Sequence, residues 1–159
     1  MKAFENHVYL IGYVISNVIA VAMLWAALKN IRLVRLLFFM LFAWASWTNA
    51  TIAANRPEVY LEYADLTFIE SYRNFIQGWF SEHIELTVGF VAFCQALIAV
   101  AMVLRGHMLR IGAIGAIIFL LAIMPLGVGS GFPTTLIMAV AMFIVLKSKN
   151  ENYLWKKSA

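Results

Sequence analysis

Between Val8 and Leu28 the sequence VYLIGYVISNVIAVAMLWAAL holds no Asp, Glu, Lys or Arg. A charge-free apolar run of roughly 20 residues is long enough to carry a helix across a hydrocarbon core of about 30 Å. Leu36–Ala54 and Leu86–Leu104 are runs of the same kind, and the chain carries no charge from Ile111 to Leu146. That last stretch is too long for one span. Two helices share it, divided at PLGVGSGFP (Pro125–Pro133), where Gly127, Gly129 and Gly131 lie between two prolines. Lipid offers the backbone no hydrogen-bond partner, so segments like these fold as helices. The expectation is an all-α, polytopic helical membrane bundle, one domain over residues 1–159. Its five transmembrane helices would fall at about 8–28, 36–54, 86–104, 110–125 and 133–146.

Composition agrees: 64% of the 159 residues are hydrophobic and 13% charged, against about 45–50% and about 25% in soluble domains. A removable signal peptide is the competing account of the first run. Only Lys2 precedes it with Glu5 between, the run exceeds a typical h-region, and no clear small-x-small site precedes Lys29, which favours a retained helix.

Five spans place Lys29, Arg32 and Arg35, then Arg105 and Arg110, then Lys147, Lys149, Lys156 and Lys157 on one side. The positive-inside rule makes that side cytoplasmic, with the N-terminus outside and the C-terminus inside. The net charge of +4 is thus a topology signal with no soluble basic face for nucleic acid, and the basic tail suits anionic headgroups. The connection from Asn55 to Glu85 then lies outside. Within it Leu66, Ile69, Tyr72, Phe75, Ile76, Trp79 and Phe80 recur at three- and four-residue steps. That spacing predicts an amphipathic, extracytoplasmic interfacial helix over about 66–81, either a plain anchor or a lid. Tyr60, Tyr63, Trp79 and Phe80 suit an interfacial aromatic belt.

The glycine stretch is the first site candidate. Irregular backbone at membrane depth must be buried or line a wet pocket, and amides around Gly127, Gly129 and Ser130, with Thr134 and Thr135 opening a helix, suit an anionic or carbonyl oxygen. A tight hairpin with its polar groups paired internally is the alternative. Without a preceding strand or a Walker lysine the stretch is no nucleotide motif. The second candidate is the polar face of helix 2, where Trp44 and Trp47 flank Thr48, Asn49 and Thr51; it suits either an aromatic-walled ligand cavity or interhelical hydrogen bonding. Asn17, Ser16, Thr87 and Gln95 need similar partners, and Gly112, Gly115 and Ala116 form a small-residue packing face. The acceptor triplet at Asn49 falls inside a span and has no glycosylation meaning.

No metal site is expected. His83 with Glu82 and Glu85, and His7 at matching depth, are the weak candidates for a metal or an axial haem pair, without a recognised spacing. Cys94, the lone cysteine, reads as a small packing residue. No Asp, Glu, Lys or Arg lies deep in an expected span, which argues against a charge-driven transporter.

WASWTNATIAA, YADLTFIESYRNFIQGWFS, VAFCQALIAVAMVLRG and FLLAIMPLGVGSGFP, in this order over roughly two-thirds of the chain, resemble the DoxX-like family of small bacterial integral membrane proteins. The resemblance implies a four-helix unit, to which helix 1 is an addition, in the bacterial cytoplasmic (inner) membrane. The family takes its name from a subunit of a thiosulfate:quinone oxidoreductase, but this chain has no thiol pair for sulfur chemistry. Two functional readings remain. In the first, an accessory or ligand-binding subunit of a redox-linked system holds a quinone or lipid among Trp44, Trp47, Asn49, Trp79 and the glycine turn. In the second, a non-catalytic structural or assembly subunit holds no ligand and meets partner subunits or its own copies. Neither makes it a stand-alone enzyme.

Overall fold

The computed structural model describes residues 7–148 and 152–155, and the described residues are helical almost throughout. Helix α1 runs His7–Lys29, α2 Ile31–Asn55, α5 Ile84–Val103, α6 Gly106–Ile123 and α7 Thr134–Lys147. The short α3 (Tyr63–Leu66) and α4 (Glu70–Phe75) lie between α2 and α5. Four helices are long and apolar enough to cross a membrane: Leu10–Lys29, Ile31–Asn55, Ile84–Val103 and Gly106–Gly127. With 14 residues, α7 is shorter, about 21 Å at 1.5 Å per residue.

Helix 2 starts earlier than the expected Leu36. Asn30 ends the first helix and caps the second, its Oδ1 accepting the N–H groups of Arg32 and Leu33, both at 3.1 Å. A side-chain oxygen there satisfies donors that a helix start leaves orphaned. Arg35 therefore lies inside α2 rather than in a loop, and it is fully buried. Helix α6 begins at Gly106, before the expected 110, and ends at Ile123, after which Met124–Ser130 form tighter turns.

Residues 66–81 do not form the single helix their periodicity predicts. Thr67 has extended backbone (ψ 141°), α4 starts only at Glu70, and Ile76–Phe80 form a wider turn with Gly78 out of helical range.

The five long elements pack in alternating directions. Ser46 Oγ donates to the Ala92 carbonyl and Arg35 reaches the Met102 carbonyl, so α2 and α5 are antiparallel. Short turns reverse the chain between α1 and α2, α5 and α6, and α6 and α7. At one end lie Lys29, Arg32, Arg35, Arg105, Arg110 and Lys147; every described carboxylate lies in the segment joining α2 to α5 or, for Glu85, in the first turn of α5, at the other end.

Small side chains let the helices approach: Ala20, Ala26, Ala99, Ala113, Ala116 and Ala141 are all buried in the core. Phe38, Phe42 and Phe119 fill its centre, with ring centroids 6.3 and 6.0 Å apart. The outward surface is as apolar as the interior, with Ile11, Val18, Trp25, Phe90 and Ile118 all more than half exposed. Such a surface suits lipid as its solvent, where close packing and interhelical hydrogen bonds hold helices together.

Candidate functional site

At the carboxylate-bearing end, the glycine stretch meets the segment that joins α2 to α5. Pro125 has no N–H to offer the Leu121 carbonyl, which instead accepts from Met124. The carbonyls that follow are taken from outside the helix. Tyr72 donates its hydroxyl to the Ala122 carbonyl at 2.9 Å, and Thr67 donates to the Pro125 carbonyl at 2.6 Å. The turn then closes on itself, because the Gly127 carbonyl accepts from Phe132 N–H and from the Ser130 hydroxyl, both at 3.0 Å. Arg73 ties the roof together through the carbonyls of Ala64 (3.0 Å) and Thr67 (3.4 Å).

Glycine is required here by space as well as by angle. Gly127 has φ +63°, and a β-carbon on it would sit 2.8 Å from the Leu66 carbonyl oxygen; one on Gly129 would sit 2.7 Å from Cε1 of Tyr63. Tyr63, Leu66 and Phe68 therefore pack directly onto the turn. Phe68 also meets Phe132 edge-on at 6.2 Å. Thr134 and Thr135 are buried at the start of α7 with hydroxyl oxygens lacking a hydrogen-bond partner.

A polar chain runs beside this cap. The Tyr60 hydroxyl donates to Asn49 Oδ1 at 2.9 Å, and Asn49 Nδ2 donates to Gln95 Oε1 at 2.8 Å. Gln95 is buried on α5, so Asn49 serves the α2–α5 contact. Tyr60 is buried in the turn Pro57–Glu62 rather than displayed in an aromatic belt. Burial first, and then Tyr63, push its phenol up to about 12. The raised folded-state value means that its contribution is complete below the ordinary tyrosine range near 10 and is lost as pH rises from there through about 12. Unfolding in detergent micelles followed between pH 9 and 12 is expected to show this loss in the parent and a shallower slope in Tyr60→Phe; equal slopes would refute the assignment.

The structure does not gather the expected ligand residues around one cavity. Trp44 and Trp47 are 65% and 75% exposed on α2, whereas Asn49 bonds inward to Gln95. Trp79 stacks on Phe75 at 5.9 Å and on His83 at 4.4 Å. Gly127, Gly129, Ser130 and Thr134 do come together, at the capped turn. His83 donates from Nδ1 to the Trp79 carbonyl at 2.9 Å, while Glu82 and Glu85 are exposed. Among the described residues no three His, Cys, Asp or Glu side chains converge as metal ligands; the side chain of His7 lies outside what is described.

Arg35 is the functional-looking residue that composition does not reveal. Its Nε donates to the Met102 carbonyl (2.9 Å), one terminal nitrogen to Leu104 (2.6 Å) and the other to Asn152 (2.8 Å). The guanidinium thus caps the end of α5 and holds the returning C-terminal segment. Leu154 N–H adds a bond to the Val103 carbonyl at 3.2 Å, and Arg105 lies 4.9 Å from the centre of the Tyr153 ring.

Set against protein-family models, curated proteins and solved structures, the chain matches none.

Proposed function

We propose that the chain is an integral membrane protein of DoxX-like type, acting as a non-catalytic structural or assembly subunit in the bacterial cytoplasmic membrane. All five long helices would cross the bilayer, the short α7 being completed by the turns before it, with the N-terminus outside and the basic end in the cytoplasm. The observation that carries this reading is where ligand-sized space would be needed and is filled: Tyr63, Leu66 and Phe68 occupy the glycine turn, and Asn49 is taken by Gln95 and Tyr60. Among the outward apolar sides of the bundle, this reading assigns recognition to that of α2, which alone carries a pair of exposed tryptophans among the described residues. Leu33, Leu36, Met40, Trp44 and Trp47 form one exposed stripe at three- and four-residue steps, the spacing that a partner helix reads. Tryptophan is ordinarily enriched at the membrane interfaces, so an outward pair near the middle of a long helix suits a specific contact.

The same pair supports a second reading, a redox-linked subunit on which a quinone or other flat lipophilic molecule lies against Trp44 and Trp47. A photo-crosslinking amino acid at position 47, in native membranes, separates the two. A discrete heavier protein band, absent when the probe stands at Ile118, which also faces outward, is the expected result. Quinone co-purifying with the parent and lost from Trp44→Ala/Trp47→Ala would favour the second reading. Crosslinks to bulk lipid alone, with no quinone recovered, would defeat both.

A further inference from the structure

At the basic end, the last turns of α1 and α7 border an open groove of about 430 Å³. Leu28, Ile31, Phe143 and Ile144 give it an apolar wall, and Lys29, Lys147 and Ser148 are its polar lining. Both lysines are exposed, and neither has a carboxylate partner among the described residues, all of whose acidic side chains lie at the opposite end. Lys147 is held over the Phe143 ring, 5.5 Å from its centre. The Ser148 hydroxyl oxygen is buried with no hydrogen-bond partner. We infer that this groove binds an anionic phospholipid. Its phosphodiester would sit between Lys29 and Lys147 and accept from the Ser148 hydroxyl, with an acyl chain along Leu28, Phe143 and Ile144.

The charge balance selects the class of headgroup. Two helix C-termini meet here, each equivalent to roughly half a negative charge, and the N-terminus of α2 at Ile31 offsets one of them. The two lysines outweigh what is left and give the groove a net positive charge of roughly between one and two, enough for a single phosphodiester. The apolar wall adds what a free phosphate could not use. The site requires that the chain lie in a bilayer, but not that it meet a partner subunit.

The test uses the full chain in detergent, with native mass spectrometry to count bound lipids. Phosphatidylglycerol and phosphatidylcholine of identical acyl chains are titrated separately, and glycerol phosphate serves as the soluble competitor. At about 1 kcal/mol for each lysine near the surface, phosphatidylglycerol is expected to be held about thirtyfold more tightly. Lys29→Gln/Lys147→Gln should bring the two lipids to near parity, and Lys29→Arg/Lys147→Arg should keep the preference. Parity in the parent, a preference untouched in the glutamine variant, or displacement by glycerol phosphate would each overturn the site. The parent's own comparison decides even if a variant fails to insert.

Discussion

Arg35→Met is expected to destabilise the bundle by about 3 kcal/mol, on the order of 1 kcal/mol for each of the three carbonyls left without a donor. The gross loss is larger, since hydrogen bonds from a charged group contribute about 1.5–3 kcal/mol each. Against it stands the desolvation of a guanidinium that is fully buried, which the methionine variant no longer bears. The carbonyls decide the sign. Met102 and Leu104 stand where α5 runs out of its own N–H donors, and the negative end of the helix dipole favours a cation there. Arg35→Lys is expected to recover only part of the loss, because one ammonium cannot reproduce a planar fork reaching three acceptors. Two measurements check the claim. Unfolding in mixed detergent micelles should show the order parent, lysine, methionine. Proteolysis near Tyr153 should quicken in the methionine variant, since Asn152 loses its anchor. A methionine variant within about 0.5 kcal/mol of the parent, the scatter of a neutral surface change, would show that the guanidinium is not what closes this end.

How much of this was open to a reader of the chain depends on which solvent set each feature. The long helices were legible because lipid allows a charge-free run few alternatives to helix. Their starts were less so, although Asn30 before Ile31-Arg32-Leu33 is a recognisable cap that would have moved the second helix forward. The inward turn of Arg35 was not legible at all. It depends on the end of α5, 67 positions further on, arriving beside it with carbonyls to fill. Residues 66–81 show the opposite failure: a sound three-and-four periodicity was overridden when the Thr67 hydroxyl paired with Pro125, holding its own backbone extended. The glycine stretch marks the break between α6 and α7, and both a wet pocket and a closed hairpin are consistent with its residues. What distinguishes them is Tyr63, Leu66 and Phe68 packed onto it from a segment some 60 residues earlier. Trp44 and Trp47 share a helical face that sequence alone could assign equally to a cavity wall or to the outside.

Gly127→Ala is expected to be the most damaging single methyl group that can be added to the cap. Two effects add. At φ +63° and ψ −128° the backbone lies in a region open essentially to glycine alone, and holding a side chain there costs about 1–3 kcal/mol. The new carbon would also press on the Leu66 carbonyl oxygen at 2.8 Å. That neighbour is backbone, so no rotamer change relieves the contact and the roof itself must lift. Lifting it strains the bond from Thr67 to Pro125, another ~1 kcal/mol. Gly106→Ala isolates the first effect: its φ is also positive, +58°, but no atom lies within 4 Å of the added carbon, so only the backbone strain of about 1–2 kcal/mol remains. The two variants are compared by their unfolding midpoints in the same detergent. A second readout follows the roof directly: in a Cys94→Ala background, Ala64→Cys, at a roof position that is buried, should react faster with a water-soluble maleimide when Gly127 is alanine, and at the parent rate when Gly106 is. Equal losses from both variants, with no change in labelling, would mean that the connecting segment does not rest on the glycine turn, and the closed cap on which the assembly reading depends would have to be abandoned.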